Sequence, residues 1–199
     1  MNGRSLRALI NQREVGHLRE VAGLWSFQYA ASWLNHPQAF ALSPHLPLSA
    51  EPLLDGASQR PVQWYFDNLL PEEGQRTLLA GDARLDAADA FGLLAWYGAE
   101  SAGSLTLLPP EAAPQATEPL RPLPDEPLQA RILQMPKAPL THAAIKRMSL
   151  AGAQHKLAVV LQEGALFEPA GATPSTHILK PDHPDEDYPP SVINEWFVM

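Results

Sequence analysis

Two short stretches hold the residue types that could do chemistry. Met148-Ser149-Leu150-Ala151-Gly152-Ala153-Gln154-His155-Lys156-Leu157 sets small residues beside a hydroxyl and a lysine, just before an apolar run. With little Cβ bulk in the way, backbone N–H groups there could approach a phosphate closely, with the Lys156 charge nearby. The stretch has a single glycine and matches neither a Walker loop nor a triple-glycine loop. On pattern alone, a plain β-turn is therefore the favoured alternative. The second stretch ends in Ile178-Leu179-Lys180-Pro181. A lysine in an apolar strand needs a partner, because burying an unpaired ammonium is costly. Failing that, it is an edge-strand lysine that blunts aggregation. Glu195, fifteen residues further on, is the candidate partner.

The elements that must position these residues can be read from periodicity. Leu157 to Leu161 predicts a β-branched apolar strand, Gly164 a turn, and Ala165 to Phe167 a short returning strand. His177 to Lys180 predicts a third strand, and Ser191 can cap a helix running to Met199. The order of small-residue loop, strand lysine and helix glutamate is that of protein kinases, where the lysine holds the α and β phosphates and the glutamate positions it.

The first half predicts a separate sheet with helices. Leu6, Ala8 and Ile10 alternate with polar residues, Asn11 to Glu14 supplies a turn, and Val15 to Val21 returns. Leu24 to Ala30 reads as a third antiparallel strand, and a polar, Pro-rich stretch from Asn35 to Pro52 follows. Val62, Tyr65, Phe66 and Leu69 fall at helical spacing after Pro61, and Pro71 ends that helix. Asp86 is the expected N-cap of a second helix, with Ala90, Phe91, Leu94 and Tyr97 on one face and Gly98 at its C-terminus. Between Pro109 and Pro127, seven of nineteen residues are proline. Such a segment is short of backbone donors, so an extended, solvated linker outside any sheet is expected.

Composition narrows the field. With 199 residues, 45% of them hydrophobic, the chain can bury one generous core or two small ones. A formal charge of −8 argues against gripping nucleic acid by general electrostatics. The absence of cysteine excludes disulfides, thiol catalysis and iron–sulfur clusters. The acidic stretch Asp182-His183-Pro184-Asp185-Glu186-Asp187 lacks the spacing of a calcium loop and reads as a solvated loop, and the seven histidines are scattered. No metal site is expected. No run approaches the ~20 apolar residues a spanning helix needs, and a soluble cytoplasmic protein is expected, with no membrane partner.

Ser149 to Lys156, Ser175 to Pro181 and Asn194-Glu195-Trp196-Phe197-Val198-Met199 resemble the opening of the kinase core in HipA-like toxins. Phe27-Gln28-Tyr29, Trp33-Leu34, Leu42-Ser43, Leu46-Pro47-Leu48, Phe66-Asp67-Asn68-Leu69-Leu70-Pro71-Glu72 and Ala102-Gly103-Ser104-Leu105 resemble that family's N-terminal subdomain, in the family's order. One departure is Ala99-Glu100-Ser101, where the family commonly shows Gly-x-Asp. The resemblance implies an α+β fold: a small antiparallel sheet with helices over residues 1–108, a Pro-rich linker region over 109–139, and an incomplete kinase-like N-lobe of antiparallel strands and a terminal helix over 140–199.

It implies a serine/threonine protein kinase of a type II toxin–antitoxin pair, linked to persistence, with ATP and Mg²⁺ as cofactors of the complete protein. Ala151, Gly152, Ala153, Gln154, Lys156, Lys180 and Glu195 would face the nucleotide, and Ser149 would be the autophosphorylation site. A phosphoserine there would compete with ATP's phosphates for the same N–H groups. Partners would be a helix-turn-helix, HipB-like antitoxin, operator DNA through it, and a protein substrate such as an aminoacyl-tRNA synthetase. The aspartates that orient the substrate hydroxyl and hold Mg²⁺ would lie after Met199, so the chain reads as truncated, with no catalytic residue of its own. A non-catalytic binding or inhibitory subunit of a split kinase system is the alternative, and a decayed gene product a third possibility.

Overall fold

The computed structural model describes residues 3–100, 105–114, 116–134, 155–182 and 191–198. Its architecture is α+β with antiparallel sheets, as the sequence predicts.

The first sheet begins as a meander. Strands β1 (Arg4–Ile10), β2 (Arg13–Val21) and β3 (Leu24–Tyr29) pair antiparallel in turn. Both connections are two-residue turns whose central residues have positive φ (Asn11 and Gln12, then Ala22 and Gly23), the geometry that matches strand twist. Short β4 (Leu53–Leu54) closes one edge and β5 (Leu105–Leu108) the other, giving the order β4-β3-β2-β1-β5. On this sheet lie α1 (Ala31–Leu34), α2 (Pro61–Asp67), α3 (Glu73–Ala83) and α4 (Ala90–Tyr97). Phe27 lies 5.4 Å from Phe66, and Trp25 meets Phe91 edge-on at 5.1 Å. The Pro-rich stretch after α1 is pinned rather than loose. The Tyr29 hydroxyl donates to the Leu46 carbonyl at 2.6 Å and accepts from the Leu42 amide at 2.8 Å, and Leu46 is fully buried.

Capping differs from expectation. The Asp86 side chain accepts from Ala88 N in the preceding turn, and Asp89 is the α4 N-cap, accepting from Gly92 N at 3.0 Å. Gly98 has an ordinary right-handed φ, so conformational freedom does not explain it. A Cβ there would come within 2.6 Å of Leu107 Cβ, so glycine is what lets α4 close onto β5.

The second sheet orders as β6-β8-β7-β9, from β6 (Arg121–Pro122), β7 (Leu157–Gln162), β8 (Ala165–Glu168) and β9 (His177–Leu179). Helix α5 (Asp125–Leu133) packs on it through Leu128, alongside buried Leu123, Leu157 and Val159. Arg131 of α5 pairs with Glu168 of β8, both side chains largely buried. Helix α6 spans Ser191–Val198.

The expectation that the segment between Pro109 and Pro127 stays outside any sheet is corrected here. Arg121 pairs with Glu168 and Pro122 with Phe167, and Leu123 N donates to Leu166 O at 2.9 Å. The physical reason is position. β6 is an edge strand, where a missing proline N–H costs no ladder bond. Upstream, Thr117 bridges Gly171, whose φ is +54° and whose Cβ would come within 2.4 Å of Ala116 O. Arg7 of β1 donates to the Ala112 carbonyl, tying the segment to the first sheet as well.

Candidate functional site

The second sheet's antiparallel register assembles the candidate site. Leu157 pairs with Leu179, so one step beyond the ladder Lys156 stands opposite Lys180. Directly opposed residues share a face with Cβ atoms about 5 Å apart, and like charges so placed repel unless something negative joins them. Glu195 of α6 joins them, its Oε1 accepting from Lys180 Nζ. Burial pushes the Lys156 ammonium below its usual range, Lys180 pushes the same way, and Glu195 and Glu72 oppose both. Two ammonium groups thus stand beside Glu195, with Glu72 acting on Lys156 from α3, and lysines so placed can meet a phosphate.

The Lys180–Glu195 pair is about one-third exposed on each side, at 33% and 36%. A pair so exposed adds little to stability. What it does is fix orientation: the α6 residue turned toward the sheet is Glu195, while Ile193, Trp196 and Phe197 are 60%, 76% and 85% exposed. The helix start is held the same way. Asp182, just past β9, accepts from Val192 N at 3.0 Å and from the Ser191 hydroxyl at 3.4 Å. Beside Ser191, the carboxylate that receives the first helical N–H comes from Asp182, which the sequence placed in a solvated loop. Strand β9 is an edge strand, as the aggregation-blunting alternative for Lys180 requires, yet its lysine is paired.

Lys156, Lys180 and Glu195 are therefore brought together. Ser149, Ala151, Gly152, Ala153 and Gln154 lie outside the described residues, as do positions 183–187 of the acidic stretch. Among the described residues no group of three metal-ligating side chains stands together, and no helix is long and apolar enough to cross a membrane.

Sequence reasoning missed the contribution of the first unit. His155, expected to be a surface or half-buried histidine, is 6% exposed, and its Nε2 lies 2.6 Å from Gln75 Nε2 of α3. The Gln75 amide and the His155 imidazole are therefore hydrogen-bonded, with the donor set by the ring's tautomer. Glu72, the N-cap residue of α3, is the carboxylate acting on Lys156 from the same helix start. The only sequence signal for this was Pro71-Glu72 closing a motif quoted above.

Comparison with known proteins bears on the family and the fold. Residues 6–108 match the family model described as the HipA N-terminal domain. A curated protein of Sinorhizobium fredii, Y4mE, named as a candidate kinase, is 40% identical over 179 residues, covering 87% of this chain and 41% of its own length. A serine/threonine-protein kinase toxin HipA of Shewanella oneidensis is 30% identical over 179 residues, covering 89% of this chain and 39% of its own. A solved Shewanella oneidensis complex of HipA, HipB and operator DNA contains a chain that superposes with a TM-score of 0.66 at 24% identity, over 91% of this chain and 41% of that one. The chain thus spans about two fifths of the length of the curated relatives it matches.

Proposed function

This chain belongs to the HipA family through its N-terminal domain, and from that premise we propose that its second sheet is the nucleotide-facing start of a serine/threonine protein kinase. The observation that carries the reading is the Lys180–Glu195 ion pair with Lys156 set opposite by the β7–β9 register. Lys180, held by Glu195, would reach the α and β phosphates of ATP, and Lys156 would add charge to the same group. Ala151 to Gln154 would cover the phosphates with backbone N–H groups, and Ser149 would be the residue whose phosphorylation displaces that loop. Two lysines on opposed strands, one of them oriented by a carboxylate, fit a nucleotide polyphosphate. Mg²⁺ would bring the charge neutralisation that phosphoryl transfer needs when nucleotide is bound.

In this reading residues 1–108 form the interaction subdomain and 140–199 the opening of the kinase core. A HipB-like helix-turn-helix antitoxin, and operator DNA through it, would be the cytoplasmic partners. The HipA–HipB–operator composition of the superposable complex supports that assignment. The acceptor would be a serine or threonine of a protein such as an aminoacyl-tRNA synthetase. The test is growth arrest on expression of the gene product that carries this chain. The Lys180→Met protein should fold and leave growth unimpaired. Arrest by the folded variant equal to that by the unaltered protein would contradict the role of Lys180.

A further inference from the structure

Outside the phosphate site the molecule carries a cavity lined by Ser43, His45, Trp64 and Tyr65, the exposed apolar face of α6, the Arg7–Glu14–His17 cluster and a contact between the two units, and of these only the last joins one unit to a charged residue of the other. We propose that the start of α3 in the first unit positions Lys156, by anchoring His155, the residue before it, through Gln75.

Three observations support this. First, the Gln75–His155 bond joins residues eighty positions apart, and His155 is buried although it precedes β7 rather than lying within it. Secondly, His155 and Lys156 are consecutive and lead directly into Leu157, the first residue in register with β9. Fixing the imidazole therefore fixes the backbone from which the lysine projects toward Lys180. Thirdly, Glu72 is the N-cap of α3 and Gln75 lies in its first turn, so a single rigid helix start carries both the anchor and a nearby carboxylate. Glu72 also offsets the repulsion of Lys180 on Lys156. The first unit would then tune the charge site in the second through Gln75, which acts as a positioning residue and touches no phosphate itself.

The consequence for nucleotide affinity rests on the phosphate-site reading above; the positioning itself does not. Amide hydrogen exchange on the 199-residue chain tests the positioning. Gln75→Leu keeps similar bulk and removes the bond, and exchange at Lys156, Leu157 and Ala158 should rise about tenfold while β2 and β3 stay protected. Gln75→Glu, whose carboxylate can accept from an imidazole N–H, should return exchange toward the original rate, a rescue that simple loss of packing would not give. Unchanged exchange at those three amides in Gln75→Leu overturns the proposal. MgATP titration of the same proteins separates the two readings. If the unaltered chain fails to bind, the phosphate-site reading falls, while the exchange result still decides the positioning. If it binds, Gln75→Leu should weaken binding several-fold, and equal affinity would overturn the coupling.

Discussion

The first unit holds its helices to its sheet with apolar side chains, whereas α6 of the second is tied down by polar ones. Phe27, Phe66, Phe91 and Leu94 are each no more than 2% exposed in one continuous cluster running from Leu6 to Leu107. In the second unit the described cluster is Leu123, Leu128, Leu157 and Val159, and α6 is attached through Lys180, Glu195 and Asp182 while Trp196 is 76% exposed. Both units share one device. Asp55 accepts from Val62 N and Gln63 N to begin α2, as Asp182 does from Val192 N to begin α6. Asp55 is 7% exposed and Asp182 is exposed. The difference teaches where each unit's order comes from. Burial fixes the first unit irrespective of ligand, and directed charge fixes the part of the second that would meet one.

The largest expected effect breaks that comparison most openly. Phe66→Ala should cost the first unit about 4 kcal/mol by opening a cavity against Phe27. Trp196→Ala, which removes a larger side chain, should change stability by less than about 0.5 kcal/mol. Urea unfolding followed by circular dichroism measures both, and a costly Trp196→Ala would mean that α6 is held by apolar packing after all.

The shared carboxylate device gives a smaller contrast. Asp55→Ala removes two hydrogen bonds from a buried acceptor and should cost about 2 kcal/mol. Asp182→Ala removes an exposed cap and should cost about 1 kcal/mol or less. Equal losses in the same unfolding assay would show that burial does not set the difference.

How much of this was legible in the sequence depended on whether a signal was local. The meander was legible because Leu6, Ala8 and Ile10 keep period two between polar residues. The lysine and glutamate were legible by order along the chain. Helix α3 was not read, because Gly74 and Gly81 interrupt it and its buried face is only Leu79, Ala80 and Ala83. Helix α5 was hidden by Pro124 and Pro127, yet both sit at its N-terminus, where proline is tolerated. Pro122, Pro124 and Pro127, three of the prolines that suggested a linker, were compatible with structure because they fall at an edge strand and at a helix's N-terminus. The opposition of Lys156 and Lys180 needed the β7–β9 register, and the Gln75–His155 contact spans eighty residues, so no local pattern could announce either.

The smallest expected effect sharpens the comparison by sign. Burial pushes the Tyr29 and Tyr65 phenols up, so both stay protonated in the fold when the unfolded chain would lose their protons. Their contribution is complete below pH about 10 and declines as pH rises through the folded values. Lys156 is pushed down, so its contribution runs the other way: it is lost as pH falls through the folded value and present above the unfolded one near 10.5. As pH rises toward about 10.5, amide protection at Leu157, corrected for intrinsic exchange, should hold or rise; above pH about 10, protection of β3 should decline. Parallel losses in both units would contradict the assignment of these shifts.

The central claim is that Lys156, Lys180 and Glu195 make a site for nucleotide phosphates, and isothermal titration of MgATP into the purified chain tests it most directly. Saturable binding that weakens at least about tenfold in Lys180→Met, with the secondary structure of both sheets retained by circular dichroism, is the expected result. Binding by Lys180→Met as tight as by the unaltered chain would contradict it.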